Sequence, residues 1–204
     1  MKSLVFGLVL VLAGCASQPG TPVVTETVFD STLPEYAAWG FQGRVSLVRG
    51  EQGWHARMRW DETAGSFHLS LAGPFGQGAM QIDGDTDGMV RLQTADGQEY
   101  VARDADALVM SATGWQLPVT GLRYWVRGVP APGGEARFTT STQGRLERLQ
   151  QDGWDISYNR YQALAGRDWP TRIHLETTDI AVTLVVDEWN ITAPAVPPAP
   201  DPEP

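Results

Sequence analysis

From Phe41 to Leu71 apolar and polar residues alternate with a period of two. Val45 and Leu47, then Trp54, Ala56, Met58 and Trp60, share one face, while His55, Arg57 and Arg59 share the other. A turn at Gly50–Gly53 separates the two runs. Alternation of this kind is a strand with one wet and one buried side. Phe67, Leu69 and Leu71 against Ser66, His68 and Ser70 repeat it. Met80 and Ile82, Val90 and Leu92, and then Tyr100 continue it, with Asp83-Gly84 and Asp96-Gly97 read as hairpin turns. Ahead of the first run, Pro34 to Trp39 reads as one helical turn leading into the sheet.

The period changes at Asp104. Ala105, Leu108, Val109 and Ala112 sit at helical spacing, with Asp104 placed to cap the start and Gly114 the end. Pro118 to Gly128 repeats the pattern with Val119, Leu122, Trp125 and Val126, although Gly121 weakens it. After the Pro130–Gly134 turn, strands resume with Leu146 and Leu149. Trp154, Ile156 and Tyr158 follow, then Ile173 and Leu175, then Ile180, Val182, Leu184 and Val186, and Trp189 and Ile191 close the body. These patterns predict nine to eleven strands interrupted by one pair of short helices, with no internal repeat. A long meander of one-sided strands must curl, and two apolar helices can cover its concave side. The fold class is mainly β.

The two ends of the chain follow different rules. Lys2 precedes an apolar run from Leu4 to Leu12, too short to span a bilayer and of the length of a signal-peptide core. Leu12-Ala13-Gly14-Cys15 closes it and resembles the lipobox of bacterial lipoproteins. That resemblance implies a signal at 1–14 cut before Cys15, with acyl chains on this cysteine, the only one in the chain. An ordinary secretion signal, or an uncleaved anchor with an incidental cysteine, are the alternatives. Ala16-Ser17 after the cysteine, rather than aspartate, implies the outer membrane by the sorting habit of such lipoproteins. Residues 15–33 read as a lipidated flexible tether, 34–191 as the folded domain, and the Pro-rich 192–204 as a disordered tail.

Composition then narrows the chemistry. The folded part is about 160 residues, one domain's worth. A net charge of −9 argues against nucleic acid as a partner and against electrostatic docking to anionic lipid, so membrane attachment is expected to come from acyl chains or apolar residues. Eight tryptophans and twenty-two glycines suit a β-rich body with tight turns. No Gly-x-Ser-x-Gly elbow, phosphate-cradling loop or metal-ligand spacing occurs, and His55, His68 and His174 fall on the polar phase of their strands. No catalytic residues, metal or cofactor are expected, and the chain reads as a non-enzyme.

Two apolar features remain. Ala72-Gly73-Pro74-Phe75-Gly76-Gln77-Gly78 lies uncharged between two strands, and Phe75 either presents its ring to the surroundings or folds back over the barrel mouth. The inner face is either ordinary core or an adaptable apolar pocket, to which Met58, Met80 and Met110 would lend flexibility.

Three segments resemble the LolB family of outer-membrane lipoprotein receptors. They are Phe41-Gln42-Gly43-Arg44-Val45-Ser46, Leu69 to Gly76, and Leu117 to Pro130, joined by Asp187-Glu188-Trp189, and the likeness runs from about Trp39 to Ile191. The resemblance implies an incompletely closed antiparallel β-barrel with a helical lid over an apolar cavity, a shape shared with the soluble carrier LolA. It implies a monomer on the periplasmic face of the outer membrane, held by lipid on Cys15. Its partners would be a LolA-like carrier, acylated lipoprotein cargo and outer-membrane phospholipid. The inner-face residues Met58, Trp60, Leu69, Met80, Leu108, Leu122, Trp125, Ile173 and Val182 would then bind acyl chains, and Phe75 would sit at the membrane-insertion tip, where the family often has leucine. A membrane-anchored lipid-modifying hydrolase and a structural envelope lipoprotein are the competing readings. A serine or a carboxylate pair at the cavity mouth would favour the first of these, and an interior filled by its own side chains the second.

Overall fold

Two antiparallel meanders share one sheet in the computed structural model, which describes residues 36–192. The first comprises β1 (Ala38–Arg49), β2 (Gln52–Thr63), β3 (Ser66–Ala72), β4 (Met80–Gly84), β5 (Val90–Thr94) and β6 (Glu99–Ala102). The second comprises β7 (Ala136–Thr140), β8 (Leu146–Gln151), β9 (Trp154–Leu164), β10 (Arg167–Glu176) and β11 (Ala181–Thr192). β1 pairs with β11 along its length, so the meanders join at the centre and the sheet order is β6-β5-β4-β3-β2-β1-β11-β10-β9-β8-β7. β6 and β7 are therefore two outer edges that never meet, and the sheet stays open. Between them in sequence lie α1 (Ala105–Thr113) and α2 (Val119–Trp125). The signal segment, Cys15, the tether and the Pro-rich tail lie outside the described residues.

The alternation read along the strands is the alternation of burial. Val45, Leu47, Ala56, Met58, Trp60, Leu69 and Leu71 are buried, and Arg44, His55, Arg57 and Arg59 are exposed. The buried faces of both meanders and of both helices form one cluster. One end of it is aromatic: Trp39 stacks on Trp60 at 6.0 Å between centroids, and Trp169 lies 4.8 Å from Trp189.

Several expectations are corrected. Tyr36 and Ala37 are not helical, and Trp39 is already strand, because its backbone pairs with Ile191 and Glu62 while its indole joins the aromatic end. Asp83-Gly84 is not a turn but the end of β4. Gly84 is there because a side chain would strike the Phe67 ring. The turn comes one step later, where the Asp85 carboxylate accepts from the Asp87 and Met89 N–H groups at 3.0 and 2.9 Å. Gly121 has a similar cause: the Trp125 indole folds back onto the helix where a Cβ would stand. β7 and the buried Trp169 carried no clear alternation, β7 because it is a mostly exposed edge, and Trp169 because Pro170 interrupts its run.

The helices are fastened unequally. In α1, Asp104 Oδ1 accepts from the Asp106 and Ala107 N–H groups, both at 3.0 Å, and Gly114 ends the helix in the left-handed conformation. Asp106 Oδ1 accepts from the Thr120 N–H and hydroxyl at 2.9 and 3.1 Å, which ties α1 to α2. Burial pushes the Asp106 carboxyl above its ordinary value. α2 is bound on both sides. Arg123 donates to the Glu62 carboxylate of β2 at 2.7–3.0 Å and to the Gly65 carbonyl at 2.9 Å. Trp125 Nε1 donates to Gln151 at 2.9 Å, and the Tyr158 hydroxyl to the Trp125 carbonyl at 3.1 Å.

Two outcomes test this fastening. Arg123→Ala leaves the Glu62 carboxylate, its side chain only 10% exposed, without its cation. The expected loss is about 2 kcal/mol, or about 4–8 °C in Tm, with the Glu62→Ala/Arg123→Ala double variant less damaged than the sum of the single ones. Thermal unfolding of all four proteins reads both. For Asp106 the folded pKa lies above the unfolded one, so its protonation favours folding below the ordinary value of 3.8 and this contribution is lost as pH rises through the folded value. Tm measured against pH should show the parent losing ground to Asp106→Asn across the window just above 3.8, with a constant difference near neutrality.

Candidate functional site

A cavity of about 400 Å³ opens between the sheet and α1, toward the end marked by the β1–β2 turn. Leu47, Trp54, Leu71 and Met80 from β1 to β4 form its floor. Val109 and Ala112 of α1 form its roof, and Trp115 and Leu117 close it from the link to α2. The strand and helix side chains project inward because each lies on the core-facing phase of its element. Arg49 pins the site from outside: its guanidinium donates to the Gly114 carbonyl at 3.0 Å and lies 5.0 Å from the Trp115 ring centre. The one charged lining residue is Asp96. A hydrogen bond from the Thr94 hydroxyl holds its carboxyl below the usual value, so the rim stays anionic while the interior is apolar.

Of the nine inner-face residues named from sequence, Met80 lines this cavity. Met58, Trp60, Leu69, Leu108, Leu122, Trp125, Ile173 and Val182 are packed in the core continuous with it, each at most 5% exposed. The Trp60 indole N–H has no partner there, alone among the described buried side-chain polar atoms. Met110, expected to suit the pocket, is turned outward and 45% exposed, because helical spacing that buries Ala105, Leu108 and Val109 sends residue 110 to the far side. Leu47, Trp54, Leu71 and Val109 were legible as inward-facing, whereas Trp115 and Leu117 lie in the link between the helices, where no period marks a face. What alternation does not carry is which end of a strand is open.

The turn from Gly73 to Gln77 is tight and self-bonded. The Gly73 N–H donates to the Gln77 carbonyl, the Gln77 N–H to Pro74 and the Gly76 N–H to Gly73, at 3.0–3.1 Å. Phe75 stands inside it in the left-handed conformation, φ 57°, at a cost of about 1–2 kcal/mol for a side chain of this kind. Its ring is fully exposed. Of the two orientations open to it, the ring presented outward is the one adopted.

The three histidines lie on the outer face. His68 Nδ1 is 2.6 Å from the Asp83 carboxylate, and His174 Nδ1 is 3.0 Å from the Thr183 hydroxyl. The cavity lining contains two threonines, Thr94 and Thr113, and a single carboxylate, Asp96. Among the described residues no group of three His, Cys, Asp or Glu side chains could hold a metal ion, and no helix is long and apolar enough to cross a membrane.

Similarity to known proteins agrees with this geometry. A family model described as "Outer membrane lipoprotein LolB" matches residues 37–189. The outer-membrane lipoprotein LolB of Pseudomonas aeruginosa is 38% identical over 158 residues, covering 78% of this chain and 77% of that one. The LolB of Stutzerimonas stutzeri is 34% identical over 191 residues, covering 90% and 92%. Among solved structures, a LolA superfamily protein from Nitrosomonas europaea has the same fold, with a TM-score of 0.55 over 84% of this chain and 94% of that one at 8% identity. With a family model spanning the folded body and relatives aligned over most of their own length, the chain belongs to the LolB family of outer-membrane lipoproteins.

Proposed function

We propose that this protein receives acylated lipoproteins from a LolA-like carrier in the periplasm and inserts them into the outer membrane, to which it is itself held by acyl chains on Cys15. The observation that carries the reading is a half-open apolar cavity beneath a short helix, set in the same part of the sheet as a fully exposed phenylalanine. Exposing hydrocarbon to water costs about 0.8 kcal/mol per methylene, so acyl chains cannot cross the periplasm bare. A cavity with an apolar floor and roof shields them, and no nucleotide is needed if each acceptor binds more tightly than the last. The bilayer is the final sink.

At about 30 Å³ per small group, the cavity takes on the order of a dozen methylenes, short of one long acyl chain. Full loading therefore requires α1 to lift. Its neighbours are β5, β6 and α2, whereas α2 is bonded to both meanders. Lifting α1 extends the site inward over the core residues Leu108, Met58 and Leu69, and further opening reaches Leu122, Trp125, Trp60, Ile173 and Val182. Phe75 works at the later step. Burying its ring in a bilayer contributes about 2 kcal/mol, too little to anchor the protein and enough to orient a tethered one.

A two-step assay, from carrier–lipoprotein complex to receptor and from receptor to liposomes, separates the two roles. Ala112→Glu places a charge in the cavity roof at a partly exposed helix position, and should cut acceptance of cargo by about ten-fold or more while the protein stays folded. Phe75→Glu should accept cargo normally, keep its Tm, and lose about twenty-fold in delivery. Normal delivery by Phe75→Glu would sink the insertion role, and normal acceptance by a folded Ala112→Glu would remove the cavity from the pathway.

A further inference from the structure

On the outer face of the sheet, behind Phe75, a second recess of about 660 Å³ is bounded by β1, β2 and the Gly73–Gly76 turn. Arg44, His55 and Arg57 line it and no carboxylate does, in a chain whose net charge is −9. Arg44 and Arg57 stand directly opposite one another on β1 and β2, a placement of like charges that destabilises a sheet. Arg44 is relieved by a two-point pairing with Asp187 of β11, Nε at 3.1 Å and Nη2 at 2.7 Å. Arg57 has no hydrogen-bond or ion-pair partner among the described residues. Its register partner on the other side is Ala72, the last residue of β3 before the turn that carries Phe75. Ser46 and His55 form the next opposed pair along the recess and add a hydroxyl and a ring nitrogen.

A cationic recess at the foot of an exposed aromatic ring matches a partner that offers a phosphate and hydrocarbon a few ångströms apart. The geometry points to a phospholipid headgroup site: the lipid phosphodiester enters the recess, with Arg57 as its principal cation, while the Phe75 ring sits among the acyl chains below. The chain as a whole is repelled by anionic lipid, so this local reversal of charge selects which face meets the bilayer. The inference rests on Phe75 entering the membrane, and adds to it the lipid group recognised beside it.

The test uses the mature chain, residues 15–204, with Cys15→Ser so that an acyl anchor does not mask weak binding. Co-sedimentation is measured with vesicles of mixed phosphatidylcholine and phosphatidylglycerol. Arg57→Ser should bind about five-fold more weakly, Arg57→Lys should retain binding, and the gap between Arg57→Ser and the parent should close at high salt. Phe75→Ser should weaken binding at every salt concentration. If Phe75→Ser loses binding while Arg57→Ser matches the parent, the insertion tip stands and the headgroup site is wrong. If both match the parent, the tip itself fails. Millimolar inorganic phosphate should displace the protein no better than chloride at equal ionic strength; selective displacement would assign the recess to a free anion and overturn the lipid reading.

Discussion

Burial of one apolar sheet face beneath two short helices is the interaction on which the rest of the molecule depends. β1 and β11 meet at the centre while β6 and β7 stay unpaired with each other at the two edges, so without the helices a bare concave face would be left to water. Neither partner is stable alone. Helices of nine and seven residues do not persist in water, and an uncovered row of Leu, Met and Trp would aggregate. Their association solves both problems and leaves an imperfect seam, and that seam is the cavity.

The seam falls where it does because the two ends of the interior are filled differently. At the Ala38 end large rings interlock, with Trp39, Phe41, Trp60, Trp169 and Trp189 in mutual contact and Arg127 lying 4.6 Å above the Trp39 ring. Burial lowers the Arg127 guanidinium to a pKa of about 10, still protonated at neutral pH, so a buried cation helps close that end. At the other end the floor is Leu47, Leu71 and Met80 with a single ring, Trp54, and the roof is a helix side carrying valine and alanine, too small to fill the space. Packing density thus grades from closed to open along one continuous core.

Much of this was legible in the alternation of residues. A sheet wet on one side must write its inward face into every second position, and β1 to β5, the first half of β9, the second half of β10 and most of β11 do so. Asp104 and Gly114 mark α1 because capping chemistry is local. What could not be read depends on where particular side chains come to rest in the folded chain. Gly84 resembled a turn residue and is instead cut to fit Phe67; Gly121 resembled a weakness and makes room for Trp125. The inward positions were recognised, but their division into packed and open ones depends on which side chains face them across the fold. The same holds for Arg57, ordinary in sequence and distinctive only when Arg44 stands opposite.

The pairing of β1 with β11 also sets a mechanical requirement on the anchor. Ala38 begins β1 opposite Thr192, so the segment leading from Cys15 joins the body at the aromatic, closed end. The Phe75 turn leaves the sheet level with Arg44 and points into the other half, about 20 Å or more along the strand. With acyl chains on Cys15 as proposed, a taut leash would hold the closed end against the membrane and lift the ring away from it. The stretch from Cys15 to Ala38 can reach at most about 75 Å, several times that separation. That contour length exceeds the separation, so an anchor on Cys15 would not by itself dictate which end of the body meets the membrane.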